Sequence, residues 1–171
     1  MKIGIDKGHC LGGANTGAQG LGRKEEQLTR EVGNLVEILL RQHDVEVVNC
    51  TVDRANSNSE SLNLRVKKAN NNDCDLFVSI HFNASDGRGN GTEVYIYNQS
   101  DITNSMGQKI CSNFEKLGYQ NRGVKVNKDL YVIKKICMPA MLVECCFIDN
   151  KKDMDNYDPR LFAESIVKGL I

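Results

Sequence analysis

The chain has 171 residues, and its 22 lysines and arginines balance its 22 aspartates and glutamates, for a formal net charge of +0. That length can bury one hydrophobic core but not two full-sized ones, so a single domain over residues 1–171 is expected. The balanced charge excludes a global attraction to nucleic acid or to an anionic membrane surface. The seven cysteines form no C-x-x-C pair, which argues against a thiolate zinc site and against a disulfide framework.

Apolar targeting segments are absent from the sequence. No apolar run approaches the ~20 residues of a membrane-spanning helix. The first residues, MKIGIDKGHC, lack the apolar core of a signal peptide. We therefore expect a protein made in the cytoplasm without a signal peptide, with no membrane insertion.

Short β-rich runs alternate with segments of helical period along the whole chain. This pattern predicts an α/β fold, with a mixed, largely parallel twisted sheet of about six strands flanked by helices on both faces. The predicted strands are residues 2–6, 45–50, 75–81, 92–97, 130–134 and 140–146. Several are continuously apolar, as in strands that are covered on both faces.

Four helices are predicted from the 3.6-residue period and from end signals. The stripe of the first consists of Leu28, Val32, Leu35, Val36 and Leu39. The second begins at a capping box, Ser57 with Glu60 three residues later. The third covers 102–117 and ends at Gly118. The last begins at Asp158, which proline follows at the first helical position.

Two of the three histidines lie where a site would form in such a fold. His9 follows the first strand and His81 ends the third. Binding sites of α/β sheets are built at the carboxyl ends of the strands. His43, at the polar end of the first helix, is interpreted as a surface residue.

The phase of the first helix separates two adjacent glutamates. Glu25 is three residues before Leu28 and seven before Val32, so it lies on the stripe that faces the sheet. Glu26 is turned about 100° away, beside Arg30. An inward carboxylate needs a partner, although a role at the positive end of the helix dipole would explain part of its placement.

Two imidazoles and one carboxylate make the ligand set of a catalytic zinc, which keeps a fourth position open for water or substrate. Such a zinc would lower the pKa of water to roughly 7 and polarise a carbonyl oxygen. The chemistry then requires a group that accepts a proton.

Glu144 meets that requirement, because it interrupts the otherwise apolar strand AMLVECCF. A buried carboxylate also occurs in ion pairs, and Arg65, Arg122 and Lys125 are the alternative partners. From the residues alone, both interpretations stay open.

Two long glycine-rich loops, 10–22 and 83–91, border these residues. The first does not match the phosphate-binding templates, because no third glycine follows at the required spacing and no G-K-[ST] occurs. We therefore expect no nucleotide site, and we expect both loops to form walls of a shallow groove open to a polymer.

Four separated stretches together resemble one known family, the zinc-dependent N-acetylmuramoyl-L-alanine amidases of the amidase-3 family, found in autolysins, spore-associated lytic enzymes and phage endolysins. The stretches are IGIDKGHCLGG, GRKEEQLTREV, RVKKANNNDCDLFVSIHFNA and NRGVKVNKDLYVIKKICMPAMLVECCFIDN. The resemblance covers nearly the whole chain. Cys10 and Cys146 stand where the family usually has glycine.

This resemblance implies that His9, Glu25 and His81 bind one Zn²⁺ per chain and that Glu144 is the catalytic glutamate. The implied reaction cleaves the amide between the lactyl group of N-acetylmuramic acid and L-alanine of the peptidoglycan stem peptide. The motifs also contain Arg65, Asn83 and Arg122, which are expected to line the substrate groove or to support the ligands.

Two other functions are compatible with the same residues. One is a zinc peptidase that cuts within the stem peptide, and the other is an inactive peptidoglycan-binding module. No cell-wall-binding domain is expected within these residues. The predicted partner is the bacterial cell wall, reached after release from the cytoplasm, and the sequence leaves the oligomeric state open.

Overall fold

The computed structural model describes residues 1–99 and 101–171, apart from the side chain of Asp101. Its strands are β1 (Lys2–Lys7), β2 (Gly12–Gly13), β3 (Gln19–Gly20), β4 (Arg23–Lys24), β5 (Glu46–Asn49), β6 (Arg54–Ala55), β7 (Leu76–Asn83), β8 (Thr92–Ile96), β9 (Asn121–Val126) and β10 (Ala140–Phe147). Six of them form one sheet in the order β5-β1-β7-β10-β8-β9. Within this sheet β10 and β8 pair antiparallel and the other neighbours pair parallel. The predicted mixed, largely parallel sheet is confirmed.

Helices cover both faces of the sheet, as predicted. They are α1 (Glu25–Gln42), α2 (Asn58–Asn70), α3 (Asp101–Lys116), α4 (Tyr131–Lys134), α5 (Lys151–Asp155) and α6 (Pro159–Leu170). Helix α6 packs between α1 and α3 on one face, whereas α2 and α4 pack together on the other. None of the helices in the described ranges combines the length and the apolar character needed to cross a membrane.

Alternation along the strands divides the buried side chains between two cores. Ile3 and Ile5 of β1 point towards α1 and α6, and Val143 of β10 does the same. Phe77 of β7 and Leu142 of β10 point to the opposite face, beneath α2 and α4. Burial of apolar surface on both faces stabilises the sheet. The carboxyl ends of its parallel strands therefore lie between the two layers of helices.

The predicted helix ends are present. Ser57 Oγ accepts a hydrogen bond from the N–H of Glu60 (3.1 Å), while the carboxylate of Glu60 reaches one residue further back, to the N–H of Asn56 (2.7 Å). Asp158 caps the first turn of α6 in the same way. Gly118, with φ 93°, follows the end of α3. The side chains of Ser57 and Asp158 satisfy N–H groups that have no partner within the helix.

The predicted strand over 130–134 is wrong, because Tyr131–Lys134 form α4. A short apolar run does not by itself distinguish a strand from a buried helical turn. Val132 and Ile133 are buried in the core beneath α2, and the turn supplies hydrogen bonds to its own backbone. Helix α5 is not predicted from the sequence, because its five residues are too few to show a helical period.

The sixth strand is instead β9, at the edge of the sheet beside β8. Its sequence, NRGVKV, contains two cations and a glycine and has no continuous apolar run. An edge strand is exposed along one side, so polar residues are tolerated there. The β8–β9 register shifts between Thr92 and Val94, which marks a bulge.

Candidate metal centre

The two histidines meet where β1 and β7 end side by side. The N–H of Gly8 donates to the carbonyl of Ile80 (2.9 Å), which continues the pairing of the strands to the residue before His9. His9 has φ 63°, in the left-handed region. Its ring centroid lies 4.8 Å from that of His81. A Cβ on Gly8 would lie 2.4 Å from the His81 ring, so this approach requires glycine.

Glu25, the first residue of α1, joins the two imidazoles. Its Oε2 lies 3.2 Å from His9 Nε2, and its Oε1 lies 3.0 Å from His81 Nδ1. The N–H groups of Ala18 and Phe82 also donate to this carboxylate (2.8 and 3.0 Å). One ligand atom from each of the three side chains lies within 4.8 Å of the others. The structure therefore brings together the three residues that the sequence singled out.

The charges of this cluster suit a cation. Burial alone would raise the pKa of Glu25, but hydrogen bonds and charges from His81 and His9 outweigh it, and the pKa is well below its ordinary value. Burial lowers the pKa of His9, but the hydrogen bond and charge of Glu25 outweigh it, and the pKa is raised. Two zinc ligands about 2.0 to 2.1 Å from the metal lie roughly 3.3 Å apart at a tetrahedral angle, close to the two distances that Glu25 makes. The donor types fit Zn²⁺, and so do the distances from Glu25 to each imidazole.

Glu26 is buried, although the helical period places it about 100° away from the face of α1 that packs on the sheet. It is 4% exposed, and its carboxylate accepts a hydrogen bond from the N–H of Gly17 (3.3 Å). The 10–22 loop folds over the start of α1 and covers both glutamates. A Cβ on Gly17 would lie 2.6 Å from Cβ of Glu25 and 2.9 Å from the His9 ring, so the loop packs directly against these two side chains. Only Glu25 of the two glutamates contacts the imidazoles.

Glu144 lies in the neighbouring strand, opposite His81 in the β10–β7 register and opposite Glu93 in the β10–β8 register. Its Oε2 is buried and has no hydrogen-bond partner within the part of the chain that the structure describes. Burial raises the pKa of Glu144 well above its ordinary value, and the negative charges of Glu25 and Glu93 add to this effect.

The ion-pair explanation of Glu144 is wrong, because each proposed cation has another partner. Arg65 pairs with Asp6. Arg122 and Lys125 both pair with Glu93. Glu144 is therefore a carboxyl group beside the cluster of His9, Glu25 and His81, with no cation paired to it among the described side chains.

Glu93 was missed by the sequence analysis. Its side chain is 2% exposed, and one oxygen accepts hydrogen bonds from Asn83 Nδ2 (2.9 Å) and Tyr95 Oη (2.7 Å). The other accepts from Arg122 Nε (2.7 Å) and from Lys125 Nζ. Burial raises the pKa of Glu93, but these donors, Lys125 first, lower it below its ordinary value. The position of a glutamate inside the apolar stretch TEVYIY could have identified Glu93 from the sequence.

A cleft of about 280 Å³ opens beside His9 and His81 on the face covered by α2 and α4. Its walls include Asn15, Asn58, Leu62, Leu130, Tyr131 and Leu142. The 10–22 loop thus contributes to the cleft as expected, whereas the described residues of 83–91 do not line it. The segment that was wrongly predicted as a strand forms one of the walls.

Comparison with known proteins decides the family. The amidase-3 family model, described as N-acetylmuramoyl-L-alanine amidase, matches residues 3–171. The chain belongs to this family. It is 33% identical to the N-acetylmuramoyl-L-alanine amidase CwlM of Bacillus licheniformis over 99% of this chain and 65% of that protein. It is 34% identical to the endolysin of Bacillus phage SPP1 over 98% of this chain and 62% of that protein.

A solved structure supports the fold over nearly the whole chain. The catalytic domain of the CD27L endolysin, which targets Clostridia Difficile, has a TM-score of 0.91 and 29% identity, covering 99% of this chain and 96% of that one. The chain spans less than two thirds of the length of the two curated relatives named above.

In this amidase-3 chain Arg65 supports the end of β1 from within the core. Its side chain is 1% exposed, and Arg65 is also one of the residues that line the cleft beside His9 and His81. The guanidinium pairs with Asp6 and donates to the carbonyls of Lys7 (2.9 Å), His9 (2.5 Å) and Val52 (2.9 Å). Arg65 thereby holds the backbone of His9 in place.

Replacing Arg65 with methionine is expected to lower the free energy of unfolding by about 3 to 5 kcal/mol, because the Asp6 carboxylate stays buried and loses its cation. Urea denaturation measures the loss. Arg160→Met removes a surface pair with Glu164 and should cost about 1 kcal/mol or less. Adding Asp6→Leu to Arg65→Met should recover part of the stability. Equal losses in the two single variants would contradict this role.

The two cysteines at usual glycine positions are buried in the core. Neither Cys10 nor Cys146 has a positive φ. Cys146 Sγ lies 3.9 Å from Met154 Sδ of α5, and Cys10 Sγ lies 3.3 Å from Ser61 Oγ. Strand β10 therefore continues past Glu144 to Phe147, through a shift in its register with β7, without the conformational freedom of glycine.

Proposed function

We propose that this protein hydrolyses the amide between the lactyl group of N-acetylmuramic acid and L-alanine in bacterial peptidoglycan, with residues 1–171 as its catalytic domain. The observation that carries the proposal is the His9–Glu25–His81 cluster, with the unpaired carboxyl of Glu144 one strand away. The names of the amidase relatives support the choice of bond.

His9, Glu25 and His81 would hold one Zn²⁺. When bound, zinc supplies a Lewis acid that polarises the scissile carbonyl and activates water for attack. The carboxylate of Glu25 and its two backbone donors keep both imidazoles oriented towards one point. Gly8 and Gly17 leave the space that these three side chains need.

Glu144 moves the proton in this proposal. The charge of a bound Zn²⁺ would favour the ionised form of Glu144, against the effect of burial. The carboxylate accepts a proton from the attacking water as the carbon–oxygen bond forms, and it returns that proton to the nitrogen of L-alanine as the amide breaks. The products are a free lactyl carboxylate and a free amine. Because Oε2 makes no competing hydrogen bond among the described residues, it is available for the transfer.

We assign the cleft between α2 and α4 to the substrate, because it opens directly onto both imidazoles. Action on the bacterial wall after release from the cytoplasm stays a prediction. The expectation that neither nucleic acid nor membrane insertion is involved also stays a prediction.

Digestion of a defined peptidoglycan tests the choice of bond. We expect new L-alanine amino termini and glycans that keep their lactyl groups, both identified by mass spectrometry and both lost when a chelator is added. New termini within the stem peptide would favour the zinc peptidase. No new termini, with the protein bound to the wall, would favour the inactive binding module.

A further inference from the structure

We infer that Arg122 and Lys125, held on the buried Glu93, form a subsite that binds a carboxylate on the peptide side of the substrate. This inference rests on the proposed function, and it adds a second contact between the protein and the stem peptide. The lactyl carboxyl is consumed in the scissile amide, so a free carboxylate near the reaction has to lie on the peptide side.

The bulge in β9 brings the two cations to one face of the sheet. In a regular strand, residues three apart point to opposite faces. Thr92 pairs with Asn121 but Val94 pairs with Val124, so one extra residue of β9 lies opposite Glu93. Gly123, with φ 78°, lies within this bulge. The side chains of positions 122 and 125 consequently reach the same oxygen of Glu93.

The cluster carries a surplus positive charge that solvent can reach. Glu93 contributes one negative charge and is 1% exposed, whereas the side chains of Arg122 and Lys125 are 30% and 39% exposed. Arg122 Nε donates to Glu93, and among the described residues Nη1 donates only a long hydrogen bond to the Asn90 carbonyl (3.5 Å). Its guanidinium also lies 5.0 Å from the centre of the Phe147 ring, which holds the plane of the group.

The position of Arg122 and Lys125 suits a peptide that runs from His81 past Glu144, across the neighbouring strands of the sheet. Glu93 is one strand from Glu144 and two strands from His81. Neighbouring strands lie about 4.8 Å apart, so the cations lie about 10 Å from the metal-binding residues. An extended residue spans about 3.5 Å, so a carboxylate on the residue after L-alanine comes within reach of the two cations. Neither Arg122 nor Lys125 lines the cleft at His9 and His81, which is left for the glycan.

Two synthetic muramoyl peptides test this assignment. They differ only at the second residue of the stem, which carries either a free α-carboxylate or the corresponding carboxamide. We expect kcat/KM of the wild-type protein for cleavage of the lactyl–L-alanine amide to be about fivefold to tenfold higher for the acid, because a charge-assisted hydrogen bond is lost with the carboxamide. Lys125→Met should remove most of this preference, and Lys125→Arg should restore it.

Lys128→Met is the matched control, because Lys128 is exposed three residues beyond Lys125. It should keep the wild-type preference. Raising the ionic strength should reduce the preference in the wild-type protein itself, which tests the charge without any substitution. Equal kcat/KM for both peptides, or an equal loss on both in Lys125→Met, would overturn the subsite. Failure to cleave either peptide at the lactyl amide would instead overturn the proposed function.

Discussion

Replacing Glu144 with glutamine is expected to lower kcat by about 10²- to 10⁴-fold, the usual contribution of a general acid–base group. Glutamine keeps the size of the side chain but cannot accept the proton of the attacking water. The zinc content should not change, because Glu144 lies outside the cluster of His9, Glu25 and His81. Steady-state cleavage of a muramoyl peptide and metal analysis of the same preparation provide the measurements.

Glu164→Gln provides the control, since Glu164 forms surface pairs on α6 with Arg160 and Lys168. It should leave both kcat and zinc content at the wild-type level. Activity that survives in Glu144→Gln would remove the role assigned to this carboxyl group.

The same variant has a second measurement that does not depend on activity. Because the pKa of Glu144 is raised in the folded protein, the folded state binds this proton more tightly than the unfolded state does. The contribution of Glu144 to stability is therefore lost as pH rises from the ordinary carboxyl pKa towards the raised one. After chelation, the melting temperature of Glu144→Gln should exceed that of the wild-type protein at neutral pH. The difference should disappear in acid.

Replacing His81 with alanine is expected to abolish stoichiometric zinc binding, from about one zinc per chain in the wild-type protein. Loss of a supporting residue around a metal site costs about 10- to 100-fold in affinity, and loss of a ligand should cost more. Metal analysis after dialysis measures the stoichiometry. Zinc at about 100 times its Kd should stabilise the wild-type protein by roughly 2.7 kcal/mol and leave His81→Ala unchanged.

Two matched controls separate ligation from general damage. His43→Ala changes an exposed histidine that follows the end of α1, and zinc binding should persist. Glu25→Gln and Glu26→Gln change adjacent buried carboxylates, of which only Glu25 contacts the imidazoles. Only Glu25→Gln should weaken zinc binding. Full zinc occupancy in His81→Ala, or equal losses in the two glutamine variants, would contradict the ligand set.

The sequence by itself predicted the α/β class, five of the six sheet strands and the four main helices. Long periodic segments and apolar runs carry that information locally, because the spacing of their apolar residues shows which face is buried. The helix phase also placed Glu25 on the inward face, and the strand ends placed His9 and His81 at one edge. The unexpected charge in AMLVECCF singled out Glu144.

Only the tertiary structure decided the rest. Whether the apolar run at 130–134 forms a strand or the wall of a cleft depends on the space left beneath α2. The burial of Glu26 depends on a loop that folds back from outside the helix. The partners of Glu93 come from three strands, and the bulge at Gly123 sets their common face. These outcomes arise from contacts between residues distant in the chain, which no local period records.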